Sequence, residues 1–311
     1  MSFPPLPDPA AAEAPIGIFD SGVGALSVLR HVQARLPSEH LLCFCDSGHA
    51  PYGGKPDSEI IARTLEIAAF LLEKNVKAIV VACNTATASA IDTLRQQYPQ
   101  LIIVGVEPGL KPAAVLSRNG KAGVLATEST LHSARFIALR DQISATTGVQ
   151  FLSQACVGLV DQIEKGELDS PKTMQMLERY VLPILRGGAD TLALGCTHYP
   201  FVQAAIETII AAENEAAENE ATANKVHGNE NEGESKNARS VTIIDTGEAV
   251  SRQLERLLQQ NGLQREESLA GSLQAFTSGS KAALVYAFDH LLHLSPPVTE
   301  IAAQKQPQTA S

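Results

Sequence analysis

The sequence predicts an α/β protein with two similar doubly wound parallel-sheet domains and an active site in the cleft between them. Three observations support this prediction. Short apolar runs alternate with amphipathic stretches, the alternation occurs in two series, and in each series one apolar run ends at a cysteine that precedes a helix-compatible stretch. With 311 residues, 44% of them hydrophobic, the chain can fill a core in each domain.

The first series supplies four pairs of a strand and a helix. Continuous apolar runs are typical of parallel strands whose two faces are both covered by helices. The predicted strands are IGIF, LLCFC, KAIVVA and LIIVGV, and the amphipathic stretches that follow them are 25–35, 58–74, 85–97 and 111–117. The segment VEPGLKP (106–112), which contains Pro and Gly, predicts the crossing into the second domain.

The second series runs from KAGVLAT through VQFLSQA to DTLALG, with helices predicted at 131–144, 171–186 and 202–212. A later strand, VTIID, and a helix at 247–261 are most economically assigned to the first domain. The first domain is therefore predicted to be discontinuous and the second to be continuous. Their predicted extents are 15–107 with 241–295 for the first and 108–212 for the second.

Two segments are predicted to lie outside these domains. Residues 213–240 contain seven Glu and six Asn and almost no large apolar side chain, so they bury too little surface to offset the entropy lost on ordering. We expect a disordered acidic insertion there. Residues 296–311 form a polar tail that is expected to fray.

Charge and composition narrow the classes of function. The net charge of −10 and the lack of a Lys and Arg block argue against a nucleic-acid partner and favour a small-molecule ligand. The sequence shows no signal-like segment and no long apolar stretch, so no membrane partner is predicted. Five cysteines scattered among apolar runs indicate reduced thiols in a cytoplasmic protein.

Two loops after predicted strands carry candidate ligand-binding residues. Asp20 and Ser21 lie in FDSGVG, where the backbone N–H groups of a helix start favour an anion. The alternative is a tight turn in which one of them caps the helix, and the glycine spacing differs from the dinucleotide fingerprint. Tyr52 and Gly53 lie in DSGHAPYGGK, whose glycines permit close backbone approach to a ligand, although such loops often only turn the chain.

Cys83 is a candidate reactive thiol. It lies between a predicted strand and a predicted helix, whose positive N-terminal end stabilises a thiolate. The competing interpretation is a small buried hydrophobic residue. The polar residues Asn84 and Thr85 directly after it favour the reactive thiol.

Cys196 repeats this arrangement and adds Thr197 and His198. An imidazole two residues from a thiol also suits a cysteine nucleophile with a histidine base, whereas a metal site lacks a second nearby pair of ligands. Glu164, taken alone, is a solvated helix carboxylate. The remaining cysteines are interpreted as core residues: Cys43, Cys45 and Cys156.

Together these motifs resemble those of the glutamate racemases, within the aspartate/glutamate racemase group. The resemblance runs from about residue 16 to residue 250 and rests on IGIFDSGVGALSVL, DSGHAPYGGK, ACNTATASA, GVEPGLKPA, GVLAT, LGCTHYPF and IDTGEAV. It implies an isomerase that interconverts L-glutamate and D-glutamate and supplies the D-isomer for peptidoglycan synthesis. It also implies that the enzyme uses no cofactor and no metal. Relatives often form homodimers, although no residue of this sequence assigns an interface.

The same resemblance implies residue roles. Cys83 and Cys196 would be the proton-transfer bases, Asp20 and His198 would assist the neighbouring thiols, and Glu164 would be an acidic partner of the second cysteine. Substrate binding would fall to Asp20, Ser21, Tyr52, Gly53, Asn84, Thr85, Thr197 and His198.

Three other functions stay open at this stage. An aspartate racemase would use the same paired thiols with a pocket of different length. A cysteine hydrolase would use Cys196 as nucleophile and His198 as base, and Cys83 would then be dispensable. A non-catalytic module that binds small anions would keep the Asp20 loop and tolerate the loss of both thiols. The presence of the same cysteine arrangement in both series favours the racemase.

Overall fold

A computed structural model describes residues 12–226, 240–266 and 270–301. The chain divides into two compact units, the first formed by Met1–Val106 and Gly247–Ser311 and the second by Glu107–Thr246. Each unit contains an all-parallel sheet whose strands are connected through helices. The predicted α/β class is therefore confirmed.

Secondary structure follows the alternation of the sequence. The strands are β1 (Ile16–Asp20), β2 (His40–Cys45), β3 (Ala78–Val81), β4 (Ile102–Gly105), β5 (Lys121–Ala126), β6 (Gln150–Ala155), β7 (Thr191–Gly195), β8 (Thr242–Ile244), β9 (Ser272–Thr277) and β10 (Val298–Glu300). The helices are α1 (Ala25–Arg35), α2 (Asp57–Glu73), α3 (Asn84–Gln97), α4 (Leu110–Leu116), α5 (Glu128–His132), α6 (Ala134–Thr147), α7 (Leu159–Glu164), α8 (Pro171–Arg186), α9 (Gln203–Val226), α10 (Gly247–Gln260) and α11 (Lys281–Leu292).

The sheet of the first unit has the strand order β10-β9-β2-β1-β3-β4. All five residues of β1 are buried, as expected for a central strand covered on both faces. Helices α2 and α3 pack against each other and share one apolar core with Phe19, Phe44 and Val81 of the sheet. Helix α1 packs against α10 and α11. The carboxyl ends of β1, β2 and β3 therefore lie next to one another at one edge of this sheet.

The sheet of the second unit has the strand order β6-β5-β7-β8. Helices α4 and α6 pack against each other, and their side chains form an apolar core with β5. Helix α8 packs against α9 and also contacts β5 and β6. Cys156 follows β6 and Cys196 follows β7, so both lie at the carboxyl edge of this sheet.

Two predicted boundaries are wrong. The strand VTIID was assigned to the first domain, but β8 pairs with β7 in the register Thr191↔Thr242 and so completes the second sheet. Only the helix that follows, α10, belongs to the first unit. The tail is also shorter than predicted, because β10 pairs with β9 and buries Val298, whereas residues 302–311 lie outside the described part of the chain.

The predicted disordered insertion is corrected in its first half. Helix α9 continues to Val226, because a stretch rich in Ala and Glu has high helix propensity even though it contains few large apolar residues. Residues 227–239 lie outside the described residues. The helix predicted at 131–144 is divided at Ser133, whose backbone is extended. The Ser133 Oγ accepts from the Phe136 N–H at 3.1 Å and so caps the start of α6.

No helix within the three described ranges is long and apolar enough to cross a membrane.

Candidate active site

The candidate site of the first unit lies where β1 and β3 end. Asp20 is the last residue of β1, and Cys83 follows β3 by two residues. The two strands pair in parallel, and the Ala82 N–H continues the pairing by donating to Phe19 O at 2.7 Å. Neighbouring parallel strands thus bring together two motifs that are far apart in sequence.

Asp20, Ser21 and Cys83 form a connected group. The Asp20 carboxylate is fully buried and accepts from the Ser21 N–H at 2.5 Å and from the Ser21 hydroxyl at 2.9 Å. The Cys83 thiol donates to Ser21 Oγ at 3.7 Å. Ser21 therefore links a buried carboxylate to a buried thiol.

Cys83 also caps α3. Its backbone is extended, and Sγ accepts from the Ala86 N–H at 3.4 Å. The sulfur therefore faces the positive end of the α3 dipole, where negative charge is favoured. Cys83 is 5% exposed and contributes to the apolar core. The two interpretations made from sequence, a buried apolar residue and a thiol at a helix start, therefore both apply to this side chain.

Asn84 and Thr85 begin α3 and are buried. Neither amide atom of Asn84, Oδ1 or Nδ2, has a hydrogen-bond partner among the described residues. A buried amide without partners costs about 1–3 kcal/mol, so native proteins rarely keep one without a reason. This amide can supply both a donor and an acceptor to a polar ligand.

The Tyr52 hydroxyl is already engaged. It donates to Asp46 Oδ2 at 2.6 Å, and the residue is 2% exposed. Burial, and then the charge and hydrogen bond of Asp46, raise the pKa of Tyr52 far above its ordinary value, so the hydroxyl stays protonated. Gly53 lies in the same 3-10 turn, Tyr52–Gly54. If this turn binds a ligand, the contact comes from its backbone and not from the hydroxyl.

In the second unit, Cys196, His198 and Glu164 form a connected chain. Cys196 Sγ lies 3.8 Å from His198 Nδ1, and His198 Nε2 lies 2.7 Å from Glu164 Oε1. Glu164 is the last residue of α7 and its side chain is 17% exposed. The interpretation of Glu164 as a solvated carboxylate is therefore replaced by a direct contact with the imidazole.

The environment of His198 favours the protonated ring. Burial alone would lower its pKa, but the hydrogen bonds and negative charges of Cys196 and Glu164 outweigh burial and raise the pKa well above the ordinary 6.5. A protonated ring donates from Nε2 to Glu164 and places positive charge beside the Cys196 sulfur. Both contacts are then charge-assisted.

Buried polar groups surround Cys196. Thr197 is 4% exposed, and the Tyr199 hydroxyl is buried without a hydrogen bond that meets the usual geometric criteria among the described residues. The Cys156 thiol donates to Gln154 O at 3.7 Å, and burial raises its pKa far above the ordinary value, which keeps it a neutral thiol. This fits the prediction that Cys156 is a core residue.

The remaining thiols also lie in the core. Cys43 and Cys45 are fully buried on one face of β2, with their sulfurs 3.9 Å apart. None of the five cysteines, all of which the structure describes, forms a disulfide. Within the part of the chain that the structure describes, no group of three or more His, Cys, Asp or Glu side chains could hold a metal ion.

One set of residues at the candidate site was missed from sequence. Asp46 is fully buried and accepts from Tyr52, from Arg63 of α2 and from Ser278, which follows β9. Asp46 and Tyr52 lie in a motif that the sequence singled out, DSGHAPYGGK. Nothing local marks Arg63 or Ser278, because their contacts with Asp46 span 17 and 232 positions.

Comparison with known proteins gives a consistent result. The sequence model of the Asp/Glu/Hydantoin racemase family matches residues 25–213. Glutamate racemase of Pseudomonas paraeruginosa is 48% identical over 254 residues, which are 82% of this chain and 85% of the relative.

Two solved structures have the same fold. Glutamate racemase isoform RacE1 from Bacillus anthracis aligns with a TM-score of 0.77 and 28% identity, over 93% of this chain and 98% of that chain. Escherichia coli glutamate racemase, in complex with L-glutamate and the activator UDP-MurNAc-ala, aligns with a TM-score of 0.71 and 26% identity, over 93% and 98%. The chain therefore belongs to the Asp/Glu/hydantoin racemase family, in its glutamate racemase group, and is an isomerase.

Proposed function

We propose that this glutamate racemase interconverts L-glutamate and D-glutamate without a cofactor, by proton transfer to and from two cysteines, Cys83 and Cys196. One observation carries the proposal: each unit has a buried thiol in contact with its own polar partner. Cys83 contacts Ser21 and through it Asp20, and Cys196 contacts His198 and through it Glu164. The named relatives support glutamate as the substrate, and the Escherichia coli relative is in complex with L-glutamate.

The chemistry requires two bases. Inverting the α-carbon means that one group removes its proton from one face and another group delivers a proton to the opposite face. In the proposal, a thiolate takes the α-proton and becomes a thiol, while the other thiol gives its proton to the carbanion and becomes a thiolate. In the reverse reaction the two cysteines exchange their protonation states, so that the former acid acts as the base. By resemblance, Cys83 acts on D-glutamate and Cys196 on L-glutamate.

The two thiols receive different assistance. A protonated His198 places positive charge 3.8 Å from the Cys196 sulfur and attracts the negative charge that develops there. Glu164 keeps that ring charged and oriented. Asp20 fixes the Ser21 hydroxyl beside Cys83, and the α3 N-terminus provides the positive end of a dipole.

Substrate binding is assigned to polar groups near the thiols. Asn84 is the clearest, because its buried amide lacks partners among the described residues: a substrate carboxylate could accept from Nδ2 and the substrate ammonium could donate to Oδ1. Fixed donors of this kind also stabilise the carbanionic transition state. The other groups assigned to substrate are Asp20, Ser21, Thr85, Thr197, His198 and the backbone of Tyr52 and Gly53. The D-glutamate product would supply peptidoglycan synthesis.

Replacement of each thiol tests the proposal. Cys83→Ala and Cys196→Ala should each abolish racemisation, measured by circular dichroism of glutamate and by incorporation of solvent deuterium at the α-carbon. Cys45→Ala and Cys156→Ala are matched controls, because they remove buried thiols of the first and the second unit that have no role in the proposed reaction. Near-normal turnover in either of the first two variants would contradict the two-base mechanism.

The contact between Cys196 and His198 is also consistent with a cysteine hydrolase, because such enzymes use a thiol, an imidazole and a carboxylate that contact one another in this order. A hydrolase would remain active in Cys83→Ala and would form an acyl-enzyme at Cys196. A racemase specific for aspartate would instead turn over that amino acid in preference to glutamate. Assaying both amino acids with wild type and Cys83→Ala separates the three functions.

A further inference from the structure

A buried hydrogen-bonded cluster, here called the Asp46 clasp, joins four segments of the first unit. Its members are Asp46 from the loop after β2, Tyr52 from the 3-10 turn, Arg63 from α2 and Ser278 from the segment after β9. Asp46 is 0% exposed, and the Arg63 side chain is 18% exposed. The clasp is therefore a mainly buried connection between the strand ends and the turn.

Both oxygens of Asp46 are fully used. Arg63 donates from Nε to Oδ2 at 2.8 Å and from its terminal nitrogen to Oδ1 at 2.7 Å, which is the two-point geometry that an arginine fork permits. The Tyr52 hydroxyl adds a bond to Oδ2 at 2.6 Å, and the Ser278 hydroxyl adds one to Oδ1 at 2.6 Å. His49 Nδ1 lies 3.1 Å from Oδ1.

Backbone packing supports the same connection. The Gly48 N–H donates to Ser278 Oγ at 3.1 Å, so the Ser278 hydroxyl contacts both the loop and Asp46. A Cβ atom at Gly48 would come within 2.4 Å of the Ser278 carbonyl oxygen, closer than any real contact. The start of the loop therefore lies directly against the segment after β9, and only glycine fits there.

The turn is held by apolar packing of the Tyr52 ring, which lies in the core shared by α2 and α3, and by the hydroxyl of the same side chain. Gly53 and Gly54 have no side chains, and a Cβ at Gly54 would meet nothing within 4 Å. Tyr52 is the buried residue of the turn, and its hydroxyl is held by Asp46. The clasp therefore fixes the polar end of the one buried side chain of the turn, and through it the orientation of the turn backbone.

We propose that Arg63, Asp46 and Ser278 are positioning residues that hold the Tyr52–Gly54 turn in the form that binds substrate, so that the clasp sets the affinity for glutamate and not the rate of proton transfer. The inference rests on the proposed function, in which the backbone of this turn contacts the substrate. None of the three side chains is assigned a contact with the reacting carbon. Their effect on the substrate passes through Tyr52.

Two variants of graded severity test the clasp. Ser278→Ala removes the hydroxyl that donates to Asp46 and accepts from the Gly48 N–H, and should raise the KM for both glutamate isomers about 2- to 10-fold. Arg63→Lys keeps the charge but loses the two-point geometry, and should raise KM at least as much. In both variants kcat should stay within about twofold of wild type.

Glu66→Gln is the matched control. Glu66 is exposed and accepts from the outer nitrogen of Arg63 at 2.8 Å, so its replacement leaves the bonds between Arg63 and Asp46 in place. KM should not change in this variant. Far-ultraviolet circular dichroism and thermal unfolding of every variant establish that folded protein is compared.

The outcomes separate the clasp from the proposed function. A wild-type protein that does not racemise glutamate overturns the proposed function and this inference with it. An active wild type overturns the inference alone if KM is unchanged in both Ser278→Ala and Arg63→Lys. A fall in kcat at constant KM also overturns it, because the clasp would then act on proton transfer.

Discussion

The charge on His198 is predicted to depend on Glu164, and Glu164→Gln tests this dependence. The substitution keeps the size and hydrogen-bonding capacity of the side chain but removes the negative charge 2.7 Å from Nε2. A hydrogen bond to a charged group contributes about 1.5–3 kcal/mol to stability, and a neutral one about 0.5–1.5 kcal/mol. We therefore expect the variant to lose about 1–2 kcal/mol of unfolding free energy at pH 6, where His198 is protonated.

The loss should depend on pH in one direction. The pKa of His198 is raised above its unfolded value of 6.5, so the folded protein holds this proton more tightly than the unfolded chain. The resulting stabilisation is complete below pH 6.5 and is lost as the pH rises through the raised pKa. The difference in stability between wild type and Glu164→Gln should therefore shrink at alkaline pH.

Two measurements check this prediction. Urea unfolding at pH 6 and at alkaline pH gives the stability difference, and nuclear magnetic resonance of labelled histidine rings gives the titration of His198. Glu167→Gln is the control, because it removes an exposed carboxylate three residues further along the chain. If His198 titrates at the same pH in wild type and in Glu164→Gln, the reasoning from the 2.7 Å contact is refuted.

Three further predictions concern the first unit. Lys77→Met should lower the free energy of unfolding in urea by about 3–5 kcal/mol, because it leaves the buried Glu39 carboxylate without the Lys77 ammonium 2.5 Å away. Adding Glu39→Leu should recover most of the loss. A double variant no more stable than Lys77→Met would contradict this. Asn84→Ala should raise the KM for glutamate about tenfold or more without lowering the melting temperature, because the amide has no partner among the described residues. A lower melting temperature with constant KM would argue against a binding role. Gly271→Ala should lower the free energy of unfolding by about 1–3 kcal/mol, because the added Cβ would lie 2.3 Å from the Glu39 carbonyl oxygen. An unchanged melting temperature in thermal unfolding would contradict this.

Local pattern was sufficient for much of the fold. Helices α1 and α8 begin and end at the residues that amphipathic periodicity predicts. The continuous apolar runs form strands of the two parallel sheets. The motif around Cys83 was equally readable, because a strand, a thiol and a polar helix start are adjacent in sequence. These features depend on interactions between residues a few positions apart, so the sequence contains them directly.

Other features were decided by tertiary structure. The strand VTIID is too short to indicate its sheet, and only pairing with β7 assigned it to the second unit. Low hydrophobicity led to a prediction of disorder from residue 213, but α9 continues to Val226, where the helix propensity of Ala and Glu prevails.

The sequence by itself determined the α/β class, the two thiols and the loops beside them, because each is specified by neighbours along the chain. Tertiary structure alone decided which distant groups meet those loops. Glu164 reaches His198 across 34 positions, and Ser278 reaches Asp46 across 232. Such contacts follow from strand order and register, which align chain segments regardless of their separation in sequence, and no local pattern encodes them.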